Sequence, residues 1–405
     1  MFTNLEIPAG RRPLSGGERA GVGVMCLVFT GFMAAALLED YETKKLGPLF
    51  FVLFWAPLLV LHELGHAVAA WMAGWRGRKI VIGVGPKLWR RRIGQTDVTV
   101  NLAPISGFII PGPTSSNAFR LKNAFVYASG PGSELLLLGG LLAAFGAGTV
   151  FGESDTVPLV ALKSLAWAII IGAGFNLLPF VVNGSATDGL GICMSPFLND
   201  KHIEAQLVSW DCEQIDRLLD AGRIDEARCR WSEVSARHPD NPRLSIQEQE
   251  LMAETHGADA AGEHLERLAT REDLIRLHGD AWLAEVWLTR AQIELRCLEP
   301  NSLVVDRALH KAEEHGVSPL DWMIVKGAGM IERGRFESGG ELLVKAFRGT
   351  GEGDARTDGT IFGWLAVAAG QAGDLAAAER FRRAMELGQT PRWLKEKVGR
   401  ELGGA

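Results

Sequence analysis

Cysteine is scarce in this chain. There are five in 405 residues, Cys26, Cys193, Cys212, Cys229 and Cys297, with no CxxC or other paired spacing. That pattern argues against a disulfide framework or a thiolate zinc site and favours a reducing compartment for the soluble part. The second half carries neither a P-loop nor a GxGxxG, and no nucleophile constellation stands out there. Long apolar runs are missing after about residue 200, and charge is thin before it. Residues 1–199 hold 15 Lys and Arg against 11 Asp and Glu, a net of +4, whereas the remainder holds 27 against 37, a net of −10. An acidic second half argues against nucleic acid as a partner. The asymmetry is that of a membrane module, 1–199, carrying a water-facing domain, 200–405.

What is abundant in the first half is apolar length. A membrane span needs about 20 mostly apolar residues. Four stretches qualify, roughly Ala20–Leu38, Pro48–Trp75, Ala128–Phe151 and Val157–Val182. The first reads as an uncleaved anchor, because its apolar core is long for a signal peptide. Arg11, Arg12 and Arg19 precede it, and the loop between the second and third spans holds a cluster from Arg76 to Lys122. The positive-inside rule then places both termini, and the acidic domain, in the cytoplasm. In that same loop, "KIVIGVGPKLW" and "TDVTVNLAPISGFII" are β-branched and alternating, with Gly94-Gln95 as a turn between them. The expectation is a β-hairpin at, or dipping into, the cytoplasmic face.

Inside the second span stands "LVLHELGHAVAAW". His62 and His66 are four residues apart, so on a helix both imidazoles project from one face and can bind one Zn²⁺, with Glu63 beside the metal. A carboxylate so placed can take the proton of a water that attacks a carbonyl and pass it to the leaving amine. The plainer alternative is a set of residues hydrogen-bonding within a helix bundle. Ionisable groups in a span are costly and tend to be functional, which favours the metal. A catalytic zinc wants three protein ligands and an open position, so a third must come from elsewhere. The candidate is Asp188 in "GFNLLPFVVNGSATDGLG", although Thr-Asp-Gly is also an ordinary turn.

HELGH in a membrane helix, with Asn176-x-x-Pro179 and the downstream pair Asp188-Gly189, resembles the site-2 protease family of intramembrane zinc metalloproteases. The resemblance covers roughly residues 45–195. It implies that His62, His66 and Asp188 hold zinc, that Glu63 activates water, and that Asn176 helps a substrate or an oxyanion. It also implies an integral protein of a bacterial cytoplasmic membrane, with a membrane protein or peptide as substrate. The hairpin matches the family's segment after the motif helix, whose edge would pair with an unwound substrate strand. Two departures stand out. Asn183–Thr187 lengthens the gap before the aspartate. Glu134 in "SGPGSELLLL" takes a position where the family often has asparagine. It is read as a residue at the water interface, the other reading being a partner to a ligand histidine.

The second half repeats itself. "LLDAGRIDEARCRWSEVSARHP", "MIERGRFESGGELLVKAF" and "AGQAGDLAAAERFRRAMEL" share a glycine followed by small residues at the next helix, and "ETHGADAAGEHLERLA" is a fainter copy. Gly222, Gly257, Gly334 and Gly373 mark the period, with room for a further degenerate unit around Arg296–Glu314. The pattern resembles tetratricopeptide repeats, which stack helical hairpins into a solenoid. A protein or peptide partner is the expected ligand. Trp282, Trp287 and Trp322 read as packing residues. The leading expectation is thus an all-α membrane bundle of about four spans with a β-hairpin insertion and a helical-repeat solenoid, acting as a zinc endopeptidase. A non-catalytic membrane scaffold and a zinc-dependent regulator or transporter are the alternatives. Intact HExxH with Asp188-Gly189 weighs against the first of these, and the small number of spans against the second.

Overall fold

Proline and glycine place the ends of the apolar helices. The structure is a computed structural model that describes residues 42–403, apart from 154, 183, 184, 350–354 and 387. The expected span Ala20–Leu38 lies outside the described residues. A short 3₁₀ turn, Thr43–Leu46, leads into helix α1 (Gly47–Met72), with Pro48 in its first turn, where a missing N–H costs nothing. Pro57 sits inside α1, as lipid-exposed helices tolerate when neighbours supply packing. Helix α2 (Phe119–Phe145) ends at Gly146, which takes φ 75°, and a short helix α3 (Ala147–Phe151) follows. Helix α4 (Val157–Leu177) ends because Pro179 forces Leu178 into extended backbone, φ −72°, ψ 132°.

Three helices among the described residues are long and apolar enough to cross a membrane: Thr43–Met72, Phe119–Phe145 and Val157–Leu177. The limits differ from the sequence reading at both later spans. The third starts at Phe119, not Ala128, and the fourth stops at Leu177, not Val182. α1, α2 and α4 pack on one another, while Val52, Leu53, Leu64, Val68 and Leu136 remain exposed on their outer faces, an apolar surface suited to lipid.

Between α1 and α2 lies the expected hairpin, strands β1 (Arg76–Ile93) and β2 (Thr96–Gly112), closed by Gly94-Gln95. Gly94 has φ 61°, the left-handed value a two-residue hairpin needs at its first central position. The hairpin bends so that Lys79–Ile82 pairs with Gly107–Ile110 and also with Asp97–Val100. Beyond α4 come the two-residue strands β3 (Val181–Val182) and β4 (Ser185–Ala186), then helix α5 (Asp188–Met194).

The chain divides into two compact units, one running to Leu207 and one from Val208 onward. Helix α6 (Asp200–Asp220) leads into the second. There follow α7 (Ile224–Arg237), α8 (Pro242–His256), α9 (Ala258–Leu268), α10 (Glu272–Glu294), α11 (Ser302–Glu314), α12 (Pro319–Glu332), α13 (Phe336–Gly349), α14 (Ala355–Gln371), α15 (Leu375–Glu386) and α16 (Arg392–Gly403). Gly222, Gly334 and Gly373 turn α6 into α7, α12 into α13 and α14 into α15 with φ of 72°, 73° and 78°. After each, the next residue donates its N–H to a carbonyl five residues back: Arg223 to Leu218, Arg335 to Met330, Asp374 to Ala369. This is the helix-ending motif in which glycine takes the left-handed position at no steric cost.

Alternate helices also touch: α8 meets α10, α10 meets α12, α12 meets α14 and α14 meets α16. Within Arg296–Glu314, where a further degenerate unit was expected, lies the single helix α11, capped by the side chain of Asn301. Trp282 and Trp287 are buried and Trp322 partly so, all within one apolar core.

Candidate metal centre

Helix periodicity brings His62 and His66 together. Their rings meet edge to face, centroids 4.8 Å apart, and the two Nε2 atoms are 3.2 Å apart. Asp188, at the start of α5, closes the set from the other side. Its Oδ2 is 2.9 Å from His62 Nε2 and its Oδ1 3.2 Å from His66 Nε2. The potential ligand atoms of all three lie within 4.8 Å of one another. His66 is oriented by the Val126 carbonyl, 2.6 Å from Nδ1, so that Nδ1 donates and the Nε2 lone pair faces the cluster.

Asp188 arrives there because the longer gap folds into a hairpin rather than a slack loop. Thr187 fastens its base: the hydroxyl donates to Leu178 O (2.6 Å), accepts from Phe180 N (3.2 Å), and caps α5 by accepting from Leu190 N (3.4 Å). The Thr187 N–H donates to Phe180 O (3.0 Å), completing the closure. Gly189 is there for close approach, since a Cβ at that position would stand 2.0 Å from Leu177 O. The tip of the turn, Asn183-Gly184, lies outside the described residues.

Glu63 is 4% exposed and points toward the hairpin. A Cβ on Gly107 of β2 would lie 2.7 Å from Glu63 Oε1, so only glycine fits between strand and carboxylate. Its Oε2 is buried with no hydrogen-bond partner among the described residues. Gly107, itself half-buried, thus sets the strand against the motif helix.

Two further glycines make room at the crossing of α1 and α2. A Cβ at Gly65 would be 2.5 Å from Ser129 O. One at Gly130 would be 2.3 Å from His66 Nε2 and 2.7 Å from His62 Nε2. Gly130 therefore keeps open the space that both ring nitrogens face. The sequence reading passed over Gly107 and Gly130. The available signal was the small-residue run Ser129-Gly130-Pro131-Gly132 at odds with the leucine-rich stretch that follows it.

Asn176 lies half-buried on the last turn of α4 and makes no hydrogen bond to His62, His66 or Asp188. The interface reading of Glu134 is overturned. It is 4% exposed, and its Oε2 is 3.5 Å from His62 Nδ1. Because α2 begins at Phe119, Glu134 falls about four turns into the helix and not near its end.

The donor chemistry fits a divalent cation such as zinc: two imidazole nitrogens and one carboxylate, a cavity that a single methyl on Gly130 would fill, and an unpartnered carboxylate oxygen next to it. Comparison with known proteins points the same way. Residues 50–159 match Peptidase family M50. The family segment takes in α1, the hairpin and α2, hence both histidines, Glu63, Gly107, Gly130 and Glu134, and it stops short of Asp188. Over 59 residues the chain is 41% identical to the zinc metalloprotease RasP of Bacillus licheniformis, covering 15% of this chain and 14% of that relative. It is 37% identical over 59 residues to the regulator of sigma-W protease RasP of Bacillus subtilis, again 15% and 14%. A longer match, 30% over 125 residues, is to the putative zinc metalloprotease all3971 of a Nostoc species, covering 27% of this chain and 34% of that relative. The chain thus spans about a seventh to a third of the length of these relatives.

Proposed function

We propose that the chain is an integral-membrane zinc endopeptidase of the site-2 protease type, which hydrolyses a peptide bond in or near a transmembrane segment of another protein. One observation carries this reading: the nitrogens of His62 and His66 and the carboxylate of Asp188 converge beside the unpartnered carboxylate of Glu63. His62, His66 and Asp188 would hold the ion. Zinc bound there supplies a Lewis acid that lowers the pKa of a water toward about 7 and polarises the scissile carbonyl. Glu63 accepts the water's proton as the water oxygen bonds to the carbonyl carbon. It returns that proton to the nitrogen as the C–N bond breaks. Asn176 is assigned, on the family resemblance, to helping a substrate or an oxyanion.

The strand edge around Gly107 lies against Glu63, and an unwound substrate strand pairing with it would present its backbone to the site. The basic loop supports a site open to the cytoplasm, with both termini on that side. The helical pairs from Val208 onward are read as tetratricopeptide-like repeats, a platform for a protein partner that recruits substrate or gates access.

Zinc content and cleavage, measured on the detergent-purified chain and four variants, test the assignment. Glu63→Gln should hold zinc like wild type and lose cleavage by about 10²–10⁴-fold. His62→Ala and Asp188→Ala should lose both, and Asn176→Ala should keep zinc with a lowered kcat. Full zinc in Asp188→Ala, or normal cleavage by Glu63→Gln, overturns the role given to that residue.

A further inference from the structure

His62 has two ring nitrogens and two carboxylates. Nε2 faces Asp188, while Nδ1 faces away from the cluster toward Glu134 Oε2 at 3.5 Å. Both atoms are buried and neither makes a hydrogen bond among the described residues, so each is the nearest polar group that could satisfy the other. An isolated carboxylate in an apolar bundle is costly unless it is paired. The other carboxylate oxygen, Oε1, lies near the backbone of Gly172, where a Cβ would stand 3.9 Å from it. His66 is held at the same atom by a different device, the neutral carbonyl of Val126.

We infer that Glu134 is the positioning residue of His62: its carboxylate accepts the Nδ1 proton, so that the imidazole stays in the tautomer whose Nε2 lone pair is offered to a metal. The inference rests on the metal-site reading above and adds an asymmetry to it. One histidine is oriented by a charge and the other by a peptide dipole. Charge-assisted hydrogen bonds are roughly twice as strong as neutral ones, so His62 is the more firmly fixed ligand. Glu134 would touch neither substrate nor metal.

The experiment compares wild type, Glu134→Ala and Glu134→Gln as detergent-purified full chains. Zinc affinity is read by competition with a chromophoric chelator, and the thermal midpoint is recorded with and without added zinc. Glu134→Ala should bind zinc about 10–100-fold more weakly. Glu134→Gln should fall between, because its amide oxygen still accepts from Nδ1–H but carries no charge. Without metal, the midpoint of Glu134→Ala should equal or exceed that of wild type, while the rise on adding zinc shrinks.

Zinc affinity in Glu134→Ala within twofold of wild type overturns the inference. So does a midpoint that falls by the same amount with and without zinc, the mark of a purely structural residue. Should Glu134→Ala fail to fold, the glutamine variant decides alone, and wild-type affinity in it rejects the charge's role. A wild-type chain that takes up no zinc removes the metal-site reading itself, which keeps the two failures distinct.

Discussion

Residues 130 and 132 are both glycine, two positions apart on one helix, and their surroundings could hardly differ more. A methyl group on Gly130 would collide with Nε2 of both His62 and His66, whereas one on Gly132 would meet nothing within 4 Å. Gly130→Ala should therefore retain less than about a tenth of wild-type zinc, because neither imidazole can retreat without breaking the α1–α2 contact. Gly132→Ala should keep zinc and gain up to about 1 kcal/mol from better helix propensity. Metal analysis and thermal unfolding of the pair check this. Equal zinc in both would show that α2 gives way at Gly130 and that the cavity is not tightly shaped. HELGH itself was legible, because four-residue spacing has one meaning on a helix and ionisable groups in an apolar run demand partners. Glu134 was not, since its depth depends on where α2 starts, and Phe119-Arg120-Leu121-Lys122 does not read as part of an apolar span.

Among the elements, the short hairpin β3–β4 decides whether Asp188 belongs to the site. Its strands are two residues each and would not pair alone, so the Thr187 hydroxyl supplies the closure. Thr187→Val keeps the shape and removes those bonds. We expect a stability loss of about 1–2 kcal/mol and a roughly tenfold weaker zinc site, with Thr187→Ser restoring both. Wild-type zinc affinity in the valine variant would mean that the hairpin does not position Asp188. The extra residues before the aspartate looked in sequence like a loop of unknown reach. The pairing that takes them up is a tertiary arrangement of backbone and one hydroxyl, which no local pattern announces. The β1–β2 hairpin, by contrast, was visible from alternation and Gly94-Gln95, though its bend back on itself and its contact with Glu63 through Gly107 were not.

At the scale of the whole molecule, the contrast between an apolar and an acidic half was read from apolar length and charge together, and the glycines that marked the period include Gly222, Gly334 and Gly373, where helices turn. The period did not anticipate how the acidic unit closes on itself. Arg356 of α14 lies between Asp216 (3.0 Å) and Asp220 (3.5 Å) of α6, joining helices far apart in sequence. Burial raises the Asp220 carboxyl to about 6, outweighing the pull of Arg356, with neighbouring Asp216 adding to the rise. A carboxyl whose folded pKa lies above its ordinary value costs stability as pH climbs between the two, and the cost is complete above about 6. Asp220→Asn should thus stabilise this unit at pH 7.5 by an amount on the order of 2 kcal/mol, with the gain vanishing below about pH 4. Thermal unfolding of the full chain across that range measures it; a variant less stable than wild type at pH 7.5 would show that the Arg356 pairing dominates. The position of Asp188 also sets an order of events during synthesis. The two histidines and Glu63 leave the ribosome more than a hundred residues before the aspartate, which follows the last of the three long apolar helices among the described residues. Until that helix and the hairpin behind it are in place, the nascent chain carries only two of the three proposed ligands. On the proposed reading, the metal site is completed only by the last part of the membrane unit to be made, so an unfinished chain would have no complete site.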